Sequence, residues 1–275
     1  MNRPTRILFL LCGMCVSAPL HAQLPFYTDD PAVTERGKVH FEFFNEYDVL
    51  QEQYPNLRQN TANYKFNYGL PCRLEVDVDF PYLAIYRAAA AGTPAGFGDT
   101  NLGIKWNFRK ASQRSHLPAL GASFYMEFPT GNSRQQLGSG LNDYWLNFIA
   151  QEPLSDRTRV NTNLGFLFAG NTSTGAVGIE AHRGHVYTGG ISLLHDLNRR
   201  VTVGGELYGG IDPSNSFGRS QLQAMVGAQY SVRKGMTLDF GLSGGKYVAS
   251  PKIGGQIGFS LDFPDVLTPE RNQRH

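Results

Sequence analysis

The sequence predicts an all-β fold: a single closed antiparallel transmembrane β-barrel of about 12 strands. Three observations predict it. Twelve segments alternate apolar and polar residues with period two. The connections between them alternate between long and short. An export signal precedes the first segment.

The signal has three parts. Arg3 and Arg6 make a positive start, residues 7–16 form an apolar stretch, and 17–22 form a small-residue region. Cleavage is expected after Ala22, so 1–22 read as a signal peptide. Cys12 and Cys15 leave with it, and the remaining Cys72 forms no internal disulfide. Residues 23–37 carry Pro25, Asp29, Asp30 and Pro31 and are no regular strand. They are either a periplasmic strap or a segment inside the lumen.

Residues 38–263 carry the barrel. In 38–49 the apolar set is Val39, Phe41, Phe43, Tyr47 and Val49, against Lys38, His40, Glu42, Glu46 and Asp48. In 62–70, Tyr64, Phe66 and Tyr68 oppose Asn63, Lys65 and Asn67; in 72–82, Val76, Val78 and Phe80 oppose Glu75, Asp77 and Asp79. Leu102, Ile104 and Trp106 oppose Gly103, Lys105 and Asn107. The fifth to seventh strands centre on Phe124, Leu146 and Phe166, and the eighth and ninth on Ile191 and Val203. The last three centre on Val226, Phe240 and Ile257.

Short connections fall at 69–71, 110–116, 152–156, 196–199 and 233–235; long ones at 49–59, 83–97, 130–140, 170–184, 211–219 and 245–251. Gly235 supplies the left-handed residue of a three-residue hairpin that pairs Val232 with Met236. The turn 69–71 pairs Tyr68 with Cys72, which predicts Lys65 opposite Glu75. A closed barrel leaves no unpaired edge, as the bilayer demands. A soluble two-sheet sandwich or lipocalin-like barrel also alternates, but it buries its apolar face. Here the polar face is rich in charged residues and glycine, which suits a confined lumen. Residues 264–275 follow the last strand as a periplasmic tail.

Composition excludes several functions. The chain has 25 Lys+Arg and 23 Asp+Glu; without Arg3 and Arg6 the remaining residues are neutral, so no nucleic-acid partner is expected. No apolar run approaches the ~20 residues of a spanning helix.

Several stretches resemble the bacterial outer-membrane barrel family named for a part in the meta pathway of phenol degradation. They are 28–31 (TDDP), 68–75 (YGLPCRLE), 96–105 (GFGDTNLGIK), 128–131 (FPTG), 203–208 (VGGELY) and the hairpin 226–263. The resemblance implies a twelve-stranded barrel passing small, aromatic or hydrophobic compounds. It brings no catalytic or binding residues. The His-x-Ser-Asn-Gly stretch of a twelve-stranded outer-membrane phospholipase does not occur, and no enzyme activity is expected.

Parity points Glu42, Glu46, Lys65, Arg73, Glu75, Asp77, Asp79, Lys105, Glu127, Asp143, Glu206 and Asp239 into the lumen. One reading is a charged pore that selects solutes, with cations favoured by the acidic surplus. The other is a salt-bridged plug in a non-conducting structural or adhesion barrel. Glu75, Asp77 and Asp79 share one face and invite a calcium reading, and His182 and His185 a metal one; ion pairing and a solvated loop are preferred. No metal or cofactor is therefore expected. The expected partners are outer-membrane lipids, a small-molecule solute and the barrel-assembly machinery, and the expected state is a monomer.

Overall fold

A computed structural model describes residues 24–52, 56–87, 92–111, 117–170, 183–213, 220–247 and 249–263. The signal peptide, the tail 264–275 and His182 lie outside the described residues. The strands are β1 (Val39–Val49), β2 (Asn56–Leu70), β3 (Leu74–Arg87), β4 (Ala95–Phe97), β5 (Thr100–Arg109), β6 (Ala119–Phe128) and β7 (Asp143–Pro153). They continue as β8 (Thr158–Gly170), β9 (Arg183–Asp196), β10 (Val201–Ile211), β11 (Gln221–Arg233), β12 (Met236–Gly245) and β13 (Ile253–Phe263).

Every pairing between these strands is antiparallel. β1 pairs with β13 on one side and β2 on the other, and β2 pairs with β3, which closes the sheet. β3 pairs with both β4 and β5, so these two form one stave broken at Gly98–Asp99. The result is a closed barrel of twelve staves.

The alternation holds around the barrel. Leu164, Val226 and Leu242 point outward and are 66%, 62% and 65% exposed. A contiguous apolar belt of this kind requires a lipid solvent. At the seam, Phe41 packs on Phe66 and Phe43 on Tyr64 and Phe259, with ring centroids 4.8, 5.1 and 5.4 Å apart. These cross-strand rings lie on the outer face of β13, β1 and β2.

Two hairpin registers differ from the sequence reading. Tyr68 pairs with Val76, not Cys72, and Lys65 pairs with Asp79, not Glu75. The cause is Pro71, which lacks an N–H and opens a 3-10 turn over Pro71–Arg73. Cys72 and Arg73 take φ of 62° and 61°, so the ladder ends at Leu70↔Leu74. The slip is an even number of residues, so every side chain keeps its face. In the last hairpin Gly235 takes φ 74° as expected, and Ser231 pairs with Thr237. The terminal pair is Arg233↔Met236, which leaves Val232 at a bulge rather than opposite Met236. The connection read as 83–97 is also shorter, because β3 runs on to Arg87.

Candidate functional site

The lumen holds the segment that precedes β1. It starts against β11–β13 and follows the inner wall round to β2. Gln229 Nε2 donates to the Leu24 carbonyl at 2.5 Å. Phe26 packs with Leu194 and Met225. Tyr27 N–H donates to Glu206 Oε1 at 3.1 Å, and Thr28 N–H donates to Glu206 Oε2. The Tyr27 hydroxyl donates to Glu46 at 2.5 Å, and its ring lies 5.7 Å from that of Tyr208. Lys105 Nζ donates to Asp29 Oδ1 at 3.0 Å and lies 3.9 Å from Glu75 Oε1. Asn107 donates to the Pro31 carbonyl at 2.6 Å, and Thr34 N–H donates to Glu75 Oε2 at 2.5 Å. Gly37 N–H finally reaches the Gly69 carbonyl at 2.9 Å.

Inward glycines make the room for this belt. A Cβ on Gly227 would stand 2.5 Å from Pro25, on Gly241 2.9 Å from Pro25, and on Gly204 2.9 Å from Phe26. On Gly190 it would stand 2.5 Å from Thr28, and on Gly69 2.1 Å from the Glu35 carbonyl oxygen. These distances are below normal contact, so any side chain there pushes the segment away or strains the wall. The glycine content of the polar face thus has a specific physical cause.

Burial sets the protonation of the segment. It pushes the Tyr27 phenol well above its ordinary range, with Glu46 adding to the effect, so the hydroxyl stays a donor. It also raises the Asp30 carboxyl, against the pull of Lys105.

The twelve charged positions fall into groups. Glu46, Glu75, Glu206 and Lys105 bond the segment, as above. Asp77 accepts from Tyr125 at 2.6 Å and Asp79 from Asn101 at 2.9 Å. Glu75, Asp77 and Asp79 therefore engage three different partners. Lys65 lies in register between Glu42 and Asp79, with its ammonium 5.9 Å from the Tyr125 ring centre. Glu42 accepts from Asn67 at 3.2 Å and lies 3.2 Å from His40 Nε2; the other ring nitrogen is 2.6 Å from Asp262. Asn101 stands in register with both Asp79 and Glu127, and Glu127 with Asp143. Glu42, Lys65, Asp79, Asn101, Glu127 and Asp143 thus form one inward row across six strands. Asp239 is fully buried on β12. Arg73 is not in the lumen: it lies exposed in the Pro71–Arg73 turn and donates to the Phe108 carbonyl at 3.3 Å.

Sequence reasoning missed other positions. Asp99 accepts from Gly131 N–H at 2.9 Å and Ser139 N–H at 2.7 Å, tying the β6–β7 connection to the barrel rim. Leu137 of that connection packs inside on Leu83 and Ile85. Met225 and Leu194, the inner seat of Phe26, are apolar residues on the polar face. His185, considered as a metal ligand, faces outward beside Phe166 and Phe168, with ring centroids 5.8 and 6.1 Å apart.

Solved structures share this architecture. The COG4313 outer membrane channel from Pseudomonas putida F1 superposes with TM-score 0.68 at 16% identity, over 85% of this chain and 98% of that one. The KdgM porin superposes at 0.54 and 11% identity, over 82% and 99%. The NanC porin superposes at 0.54 and 8% identity, over 81% and 98%. These likenesses establish the fold. No curated protein matches the sequence. A family model matches residues 28–263, the whole of the barrel and most of the inner belt. The chain belongs to the family described as "Putative MetA-pathway of phenol degradation".

Proposed function

We propose that the protein is an outer-membrane channel for passive diffusion of small solutes, aromatic and hydrophobic ones among them. The observation that carries this reading is the inward row ending in Asp79, Glu127 and Asp143. These residues continue a polar row on the inner wall that crosses six strands, the kind of lining a solute path through the barrel needs. The family description supports an aromatic solute. The acidic surplus favours cations and neutral phenols over carboxylate anions. In this reading residues 1–22 direct export and are removed, the short turns and the tail 264–275 face the periplasm, and the barrel is a monomer in outer-membrane lipid. The assembly machinery inserts it, and the charged lumen does no catalysis.

A second reading has its own observation: the belt occupies the lumen, which suits a non-conducting structural barrel. Liposome swelling with the folded mature protein separates the two. Catechol, benzoate and small sugars are offered in parallel. Swelling fastest with catechol is expected. No swelling with any solute, from protein shown to be folded, transfers the assignment to the structural barrel.

A further inference from the structure

The stretches 96–105 and 128–131, two of those that carry the family resemblance, meet at one end of the barrel. Gly98 and Asp99 break the stave between β4 and β5, and Thr130 and Gly131 open the connection from β6 to β7. The Thr130 hydroxyl donates to the Gly98 carbonyl at 3.1 Å and accepts from Thr100 N–H at 3.0 Å. The Asp99 carboxylate is buried and accepts from Gly131 N–H at 2.9 Å and from Ser139 N–H at 2.7 Å. One side chain therefore holds both feet of the connection. Gly138 lets it close, since a Cβ there would stand 2.1 Å from Asp99 Oδ1.

Between these feet the chain turns inward. Asn132 caps a 3-10 turn over Ser133–Gln135, and Leu137 N–H returns to the Asn132 carbonyl at 3.1 Å. Leu137 is buried with Leu83 and Ile85, two apolar residues on the inward parity of β3. A Cβ on Gly96 would stand 3.0 Å from Leu137 Cδ1, so this seat is open because β4 carries glycine there. The β4–β5 stave separates β3 from β6. The connection thus leaves its own hairpin, passes the inner face of β4 and fixes itself to the next stave. A segment that crosses the inner wall in this way narrows the end of the barrel it crosses.

We propose that the β6–β7 connection is the size-selecting constriction of the passage, and that Asp99 is the positioning residue that latches it. The inference rests on the channel reading above and adds where the solute is sorted. Without the carboxylate, Gly131 and Ser139 lose their shared acceptor. Thr130 and the Leu137 seat then hold the connection alone.

The test reads position and passage separately, in folded protein carrying Cys72→Ser. Leu83→Cys places a thiol in the seat of Leu137, and Ile149→Cys places one at a buried inward position farther along β7. A charged maleimide reports the exposure of each. Asp99→Ala should speed labelling at position 83 about tenfold, the order by which losing a hydrogen bond to a charged group shifts an equilibrium, and leave position 149 slow. Liposome swelling with mono-, di- and trisaccharides should then extend to larger sugars in Asp99→Ala. A short bifunctional thiol reagent that joins Leu83→Cys to Leu137→Cys in the Asp99→Ala chain should restore the wild-type size limit, which a general loss of stability would not allow. Unchanged labelling at 83, or an equal rise at 83 and 149, overturns the latch. Faster labelling at 83 with the same size limit overturns the constriction. No swelling with or without Asp99 removes the channel reading and this inference with it; swelling with one shared size limit removes this inference alone.

Discussion

Glu46, Glu75 and Glu206 face the lumen by the same alternation as Asp79, Glu127 and Asp143. The first three bond the segment that precedes β1: Glu46 takes the Tyr27 hydroxyl, Glu75 the Thr34 amide, and Glu206 the Tyr27 and Thr28 amides. In the second set, Asp79 is held by a wall residue, Asn101, and Glu127 stands in register with Asp143. Carboxylates of the same inward parity therefore serve two ends. One set holds the inner segment, and the other is engaged within the wall itself. Parity tells which way a carboxylate points; it does not tell what meets it there.

The comparison is broken most directly by removing the belt. Deletion of residues 24–35 should raise single-channel conductance severalfold, because it empties the lumen and frees the first set of acids. Unchanged conductance would show that the belt does not limit passage. Lys105→Met should come next. It strips the cation from Asp29 and Glu75 and should cost about 3 kcal/mol in urea unfolding from lipid, with Asp29→Asn in the same chain recovering part of the loss. Gly227→Leu drives a side chain into Pro25 and should cost about 1–3 kcal/mol, with conductance between wild type and deletion. The smallest effect sharpens the contrast. Glu127→Gln with Asp143→Asn should lower the cation preference read from reversal potentials, with a stability change under about 1 kcal/mol. Arg73→Ala, outside the lumen, is the matched control and should leave the reversal potential where it was.

The barrel was legible because lipid on one side and a polar interior on the other impose a strict period of two. That pattern survives local errors, as the Tyr68 hairpin shows: the register moved by an even step and every face of the two paired strands stayed correct. The belt was legible only as one of two alternatives, a strap or a lumen segment, and its path and partners were not. Residues 23–37 have no periodicity, and their partners are scattered over β1, β3, β5, β9, β10 and β11. Glycine reads in sequence as an absence, so Gly190, Gly204 and Gly227 gave no hint that something lies against them. Met225 and Leu194 are single apolar residues on a polar face, and each looks like noise until Phe26 is placed between them. Arg73 was misplaced because its turn carries two residues at positive φ, which alternation does not anticipate.

The bond from Gln229 to the Leu24 carbonyl spans 205 positions of chain. Leu24 thus waits for a strand far along the chain before its carbonyl is satisfied. Long-range closures of this kind slow folding, since chain entropy is lost before the contact rewards it. The segment's partners lie on β1, β3, β5, β10 and β11, so no single hairpin can hold it. Its order is therefore a report on the whole barrel: it is complete only when strands from opposite ends of the sequence stand side by side.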